Sequence, residues 1–79
     1  MPHIPNGKTE TLTGTIDYVT LGSNSTVILN NATVNGYIRG DQSTTVSTKG
    51  TCLLKGAVNC GTLNIGGNTT IGGAVGGPY

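Results

Sequence analysis

One pattern recurs four times along this chain: an apolar residue, a spacer, glycine, a spacer and a second apolar residue. The copies are Leu12-Thr13-Gly14-Thr15-Ile16, Val34-Asn35-Gly36-Tyr37-Ile38, Leu54-Lys55-Gly56-Ala57-Val58 and Ile71-Gly72-Gly73-Ala74-Val75. They begin 22, 20 and 17 residues apart. A near-constant period of that length marks stacked units, none of which can bury its apolar face alone. Shorter alternations fall between the copies, at Val19/Leu21, Val27/Leu29 and Leu63/Ile65. A period of two is the strand period. The segments Gly22-Ser23-Asn24-Ser25, Gly40-Asp41-Gln42-Ser43 and Gly66-Gly67-Asn68 carry turn chemistry.

Composition agrees with strands and against helices. Thr, Val and Ile favour a pleated surface, and no stretch places apolar residues at helical spacing. The expected fold is therefore all-β: a short β-solenoid (β-helix) of about four rungs, spanning residues 10–75. Residues 1–9, with Pro2, Pro5 and Gly7, are expected to be a flexible N-terminal arm, and residues 76–79 a Gly/Pro-rich tail. The rival is a small sandwich or barrel of hairpins. The insert from Arg39 to Thr51, with Val46 as its one apolar residue, is where the repeat is least visible.

The core is thin. Of 79 residues, 34% are hydrophobic, with no Phe or Trp. A chain of this size needs a disulfide, a metal or a partner to add to its core, and no helical cap covers either end of the solenoid. Completion by oligomerisation follows, with self-association as a trimer or filament the expected partnership.

Charge excludes other classes. Seven charged residues give a net charge of +1. Nucleic-acid binding by counterion release needs a basic face, which four scattered Lys and Arg do not make. The longest apolar run, Val27-Ile28-Leu29, is far short of the roughly 20 residues of a membrane span. The first residues lack the apolar stretch of a secretory signal. No nucleic-acid or membrane partner is expected. Glu10, Asp17 and Asp41, the only carboxylates, fall in no acid–base or nucleophile pattern, and no phosphate loop is present. No catalytic residue, metal or cofactor is expected.

Several residues stand out. On an extended strand Cys52, Leu54, Gly56, Val58 and Cys60 share one face, which should point inward. The cysteines are then buried thiols; a disulfide between them would require a corner in the chain, and bridges between chains are a further alternative. His3 lies in the arm, where Pro2, His3, Ile4 and Pro5 are candidates for docking. Tyr37 occupies an outward spacer position and is a candidate subunit contact, since Tyr couples apolar area to a polar tip. Thr9, Thr11, Thr13 and Thr15 alternate on one face, as in ice-binding arrays. The matching positions of the other motif copies do not repeat them.

The stretch Gly61-Thr62-Leu63-Asn64-Ile65-Gly66-Gly67-Asn68-Thr69-Thr70-Ile71-Gly72-Gly73-Ala74-Val75 resembles the repetitive segments of phage tail fibres and spikes, most closely over Gly67 to Gly73. That resemblance implies a β-helical virion accessory at the particle surface: a capsid decoration, head fibre or spike, trimeric and held by a capsid or tail scaffold. The repeated motif is also similar to that of bactofilins, the polymer-forming β-helix proteins of bacteria, although their rungs are more regular and their domains longer and more charged. That likeness implies a self-polymerising filament, cytoplasmic or extracellular. A small ice- or glycan-binding module is the reading from a third class.

Overall fold

The computed structural model describes residues 2–79. The chain winds as a β-solenoid of about four turns, and every strand pairing is parallel. Eleven strands follow in order: β1 (His3–Ile4), β2 (Thr9–Ile16), β3 (Val19–Leu21), β4 (Thr26–Val34), β5 (Ile38–Arg39), β6 (Thr45–Lys49), β7 (Thr51–Leu54), β8 (Val58–Asn59), β9 (Thr62–Asn64), β10 (Asn68–Ile71) and β11 (Val75–Gly76). One wall is the ladder β1-β3-β5-β8-β11. The long strands β2 and β4 cross the other two walls, turning at residues with positive φ, Gly14 (82°) and Asn31 (50°). In the third turn Gly50 (φ 70°) breaks the strand into β6 and β7. In the fourth, Gly67 (φ 60°) marks the same corner between β9 and β10. A left-handed residue is needed there in every turn, which is why Gly or Asn occupies it.

Register between successive turns advances by 17 to 20 residues, as in Thr9↔Thr26↔Thr45↔Thr62 and Val19↔Ile38↔Val58↔Val75. Three motif copies stack in phase: Val34 on Leu54 on Ile71, and Ile38 on Val58 on Val75. The first copy is out of phase. Leu12, Gly14 and Ile16 pair with Leu29, Ala32 and Val34, not with Val34, Gly36 and Ile38. The true equivalent in the first turn runs from Ile16 to Val19, because that corner is one residue shorter and carries no glycine. Gly14 is thus a corner residue of a different kind from Gly36, Gly56 and Gly73.

The core is made of two inward columns from each wall, such as Val19 and Leu21, Val27 and Leu29, and Ala32 and Val34. Ile4, Val19, Val27, Leu29, Val34, Ile38, Val46, Leu54 and Val58 are at most 1% exposed. The insert between Arg39 and Thr51 is not an interruption. It supplies β6, whose inward positions are Val46 and Thr48, with Thr44 inward just before it, and both threonines are buried. Thr44 donates to the Asp41 carbonyl at 2.7 Å, and the Thr48 hydroxyl accepts from the Gly66 N–H at 3.1 Å. A hydroxyl can fill a core position when the fold supplies a backbone partner beside it.

The N-terminal segment also departs from expectation. Residues 3–4 are not a free arm: they form the lowest strand of a wall, with His3 on Thr20 and Ile4 on Leu21. Ile4 is buried to 1% exposure. Pro2 and Pro5 flank this edge strand, where a missing N–H costs nothing, and the Pro2 carbonyl still accepts from Thr20 N at 3.2 Å. At the other end the tail turns back along the side of the solenoid. Asn59 Nδ2 donates to the Gly77 carbonyl at 3.0 Å, and Tyr79 N donates to the Gly40 carbonyl at 2.8 Å.

Candidate functional site

The aromatic residues collect on one side. Tyr18 and Tyr37 occupy the same corner in successive turns, and their rings lie 5.0 Å apart with planes inclined at 36°. Arg39, the outward residue of β5, places its guanidinium 3.9 Å from the centre of the Tyr37 ring and 4.4 Å from that of Tyr79. Tyr79 is brought there by the returning tail. Two tyrosines thus hold one arginine while Tyr18 packs on Tyr37, and each cation–π contact at an exposed site contributes about 0.5–1 kcal/mol. Beside the cluster lies an open groove of about 350 Å³, bounded by Thr20, Leu21, Tyr37, Arg39, Asp41 and Tyr79. Tyr and Arg with a small apolar floor are the residue types that anchor protein contacts. Tyr37 belongs to this surface, but half-buried and engaged with its own chain.

At the rim of the groove, Asp41 organises the turn. Its carboxylate accepts from Ser43 N at 2.8 Å, from the Ser43 hydroxyl, and from Ser23 Oγ at 2.7 Å in the turn below. Those bonds, the Ser43 hydroxyl first and then Ser23, hold its pKa below the ordinary 3.8. Ser43 Oγ in turn accepts from Asn24 N at 2.8 Å. His3 lies on the same wall as Arg39, and its Nδ1 is 2.7 Å from Thr20 Oγ1. Of the proposed docking residues, His3 and Pro5 present exposed side chains while Ile4 does not.

Cys52 and Cys60 are free thiols, 2% and 6% exposed. The chain turns at Gly56 between them, so they do not share a straight strand. Cys52 points inward from β7 and its Sγ lies 3.4 Å from the Leu29 and Lys49 carbonyls. Cys60 follows β8 and donates to the Thr62 carbonyl at 3.3 Å. Burial pushes the Cys60 thiol pKa up, which keeps it protonated and unreactive. Among the described residues, no group of three or more His, Cys, Asp or Glu converges.

Two features escaped the pattern reading. Thr9, Thr26, Thr45 and Thr62 form an outward ladder through all four turns, a column visible in the spacing once the register is known. Its neighbouring column, Thr11, Ile28, Ser47 and Asn64, is mixed, so this wall is not a repeated Thr array. The second feature is the contrast between the two ends. At the C-terminal end β9, β10 and β11 each pair on one side only. Ile65 and Val75 are 50% and 55% exposed there, and Leu63 and Ile71 are only partly covered. The N-terminal edge carries Pro2, Pro5, Lys8 and Glu10, residues that blunt an edge. Set against protein-family models, curated proteins and solved structures, the chain matches none.

Proposed function

We propose that this chain is a non-catalytic structural protein of a phage or phage-like particle, a decoration, head-fibre or spike component that works by association. The observation that carries the reading is the C-terminal end: three strands, each with one open edge, around exposed Ile65 and Val75. Unpaired backbone beside exposed apolar side chains favours a protein partner. The particle context rests on the resemblance of residues 61–75 to tail-fibre segments. Docking to a scaffold falls to the side surface of Tyr37, Arg39 and Tyr79, because residues 3–4 are held in the ladder. The trimer implied by the fibre resemblance would use the same side surface.

Two measurements test this. Light scattering with negative-stain imaging should give a discrete oligomer, and a monomer at every concentration overturns the reading. Mass spectrometry of purified particles from the source culture should recover the chain in fixed ratio to the capsid protein. Its absence from particles overturns the virion role and leaves self-association standing.

A further inference from the structure

The C-terminal end has a shape that selects its own partner. We propose that it binds the same end of a second copy, tail to tail about a two-fold axis through β10. The proposal rests on the reading of this chain as a self-associating structural protein.

Charge comes first. Lys55 is the last charged residue, so β8 to β11 and every corner between them are neutral. Natural edge strands are usually guarded by charge, proline or a bulge, as the N-terminal edge is here. The edge strands at the C-terminal end have none of these guards, and the chain leaves the solenoid path after β11 without covering them.

Strand count then excludes a head-to-tail partner whose walls continue in line with these, and a copy turned by one wall would bring its guarded edge of Pro2, Pro5, Lys8 and Glu10 onto these strands. One wall holds five strands, β1, β3, β5, β8 and β11, whereas each of the other two is four turns deep. If the β2 strand of a second copy continued from β9 and β10, its β1 would fall where β11 already lies. Raising the second copy by one turn clears β11 but leaves two walls a strand short.

Tail-to-tail pairing has no such conflict. Each turn climbs by one strand spacing, about 4.8 Å, so the end is a ramp with β9 lowest, β10 intermediate and β11 highest. A two-fold axis through β10 sets the low strand of each copy against the high strand of the other, and the gap is even on all three walls. The pairing is antiparallel, which an edge of a parallel sheet accepts, and a two-fold interface closes on itself. Side-chain parity fixes the register. Thr69 and Ile71 stack on buried Cys52 and Leu54 and point inward, while Thr70 points out. Inward must face inward, and with the axis at the outward Thr70 in the middle of β10, Thr70 faces its own counterpart and Thr69 faces Ile71 of the second copy. On the flanking walls Leu63 comes over Val75 of the second copy.

The test is a single cysteine on the axis of the full chain. Directly opposed antiparallel residues have Cα atoms about 4.5–5.5 Å apart, within disulfide reach. Under mild oxidation at low concentration, Thr70→Cys should give a covalent dimer, while Thr11→Cys on exposed β2 should not. Thr70→Lys, which sets like charges face to face, should lose the end-to-end association with an unchanged circular dichroism spectrum. An oligomer that forms no Thr70→Cys link, or one that links through Thr11→Cys instead, overturns the tail-to-tail arrangement and leaves the assembly reading intact. A monomer throughout overturns both.

Discussion

Replacing Gly56 by Ala tests how tightly the turns are stacked. Gly36, Gly56 and Gly73 lie one above another at a single corner. A Cβ on Gly56 would stand 2.4 Å from the Gly36 carbonyl oxygen, 2.5 Å from its carbon and 3.0 Å from Tyr37 N. All three atoms are backbone, so no rotamer change relieves the clash. The turns must separate locally or the corner must shift, in the middle of the solenoid where both neighbours are held in ladders. Overpacking typically costs about 1–3 kcal/mol, and the rigid neighbours place this substitution near about 3 kcal/mol. A domain of this size has a total stability of about 4–12 kcal/mol. At about 4–8 °C per kcal/mol, the melting temperature should fall by about 12–24 °C. Gly72→Ala is the matched control. Its Cβ would meet nothing closer than Lys55 O at 3.7 Å, and its φ is not left-handed, so it should shift the midpoint by no more than a few degrees in either direction. Thermal circular dichroism of the two variants decides the matter. Equal effects would mean that the glycine column is not held by contact with the turn below.

Thr48→Val should cost about 1–3 kcal/mol in urea unfolding, because the Gly66 N–H loses the hydroxyl that accepts it at 3.1 Å; a neutral result would show that water reaches Gly66. Asp41 has a folded pKa held below 3.8, so its contribution to stability is present above the unfolded value and is lost as pH falls through the folded one. NMR titration should place its midpoint below 3.8, and Asp41→Asn should remove its share of the acid destabilisation; a midpoint at or above 3.8 contradicts the Ser23 and Ser43 bonds. Neither Cys52 nor Cys60 should react with a thiol reagent in the native protein at neutral pH, and both should react in denaturant. Rapid native labelling would show that the interior opens.

Much of this fold is written in local spacing. The glycines at 36, 56 and 73 announce a repeated corner, and the alternations on either side announce strands between corners. What pattern reading misses depends on partners one turn away. Thr44 and Thr48 look like turn residues, yet they are buried, and each hydroxyl accepts from a backbone N–H of the next turn, Gly61 and Gly66. Gly14 looks like the glycine of the other copies, but the first corner lacks a residue, and only cross-turn register reveals the shift. Pro2 and Pro5 look like breakers, yet a two-residue strand fits between them at the edge of a sheet. The side surface is harder still to foresee, because it joins Tyr18, Tyr37 and Tyr79 through a tail that doubles back. No period in the sequence connects residue 79 to residue 39.

The steady advance of 17 to 20 residues per turn also bears on how the molecule forms. Closure entropy grows only with the logarithm of loop length, so each turn is about as hard to close as the one before. The first is the exception, since its strands have no finished neighbour to pair with. During synthesis, the two-residue β1 has to wait for β3 to emerge and β2 for β4, and only then does an extended ladder exist. Every later strand meets a prepared edge. Folding of this chain is thus expected to be limited by its first closed pair of turns, with the remainder added in sequence from the N-terminal side.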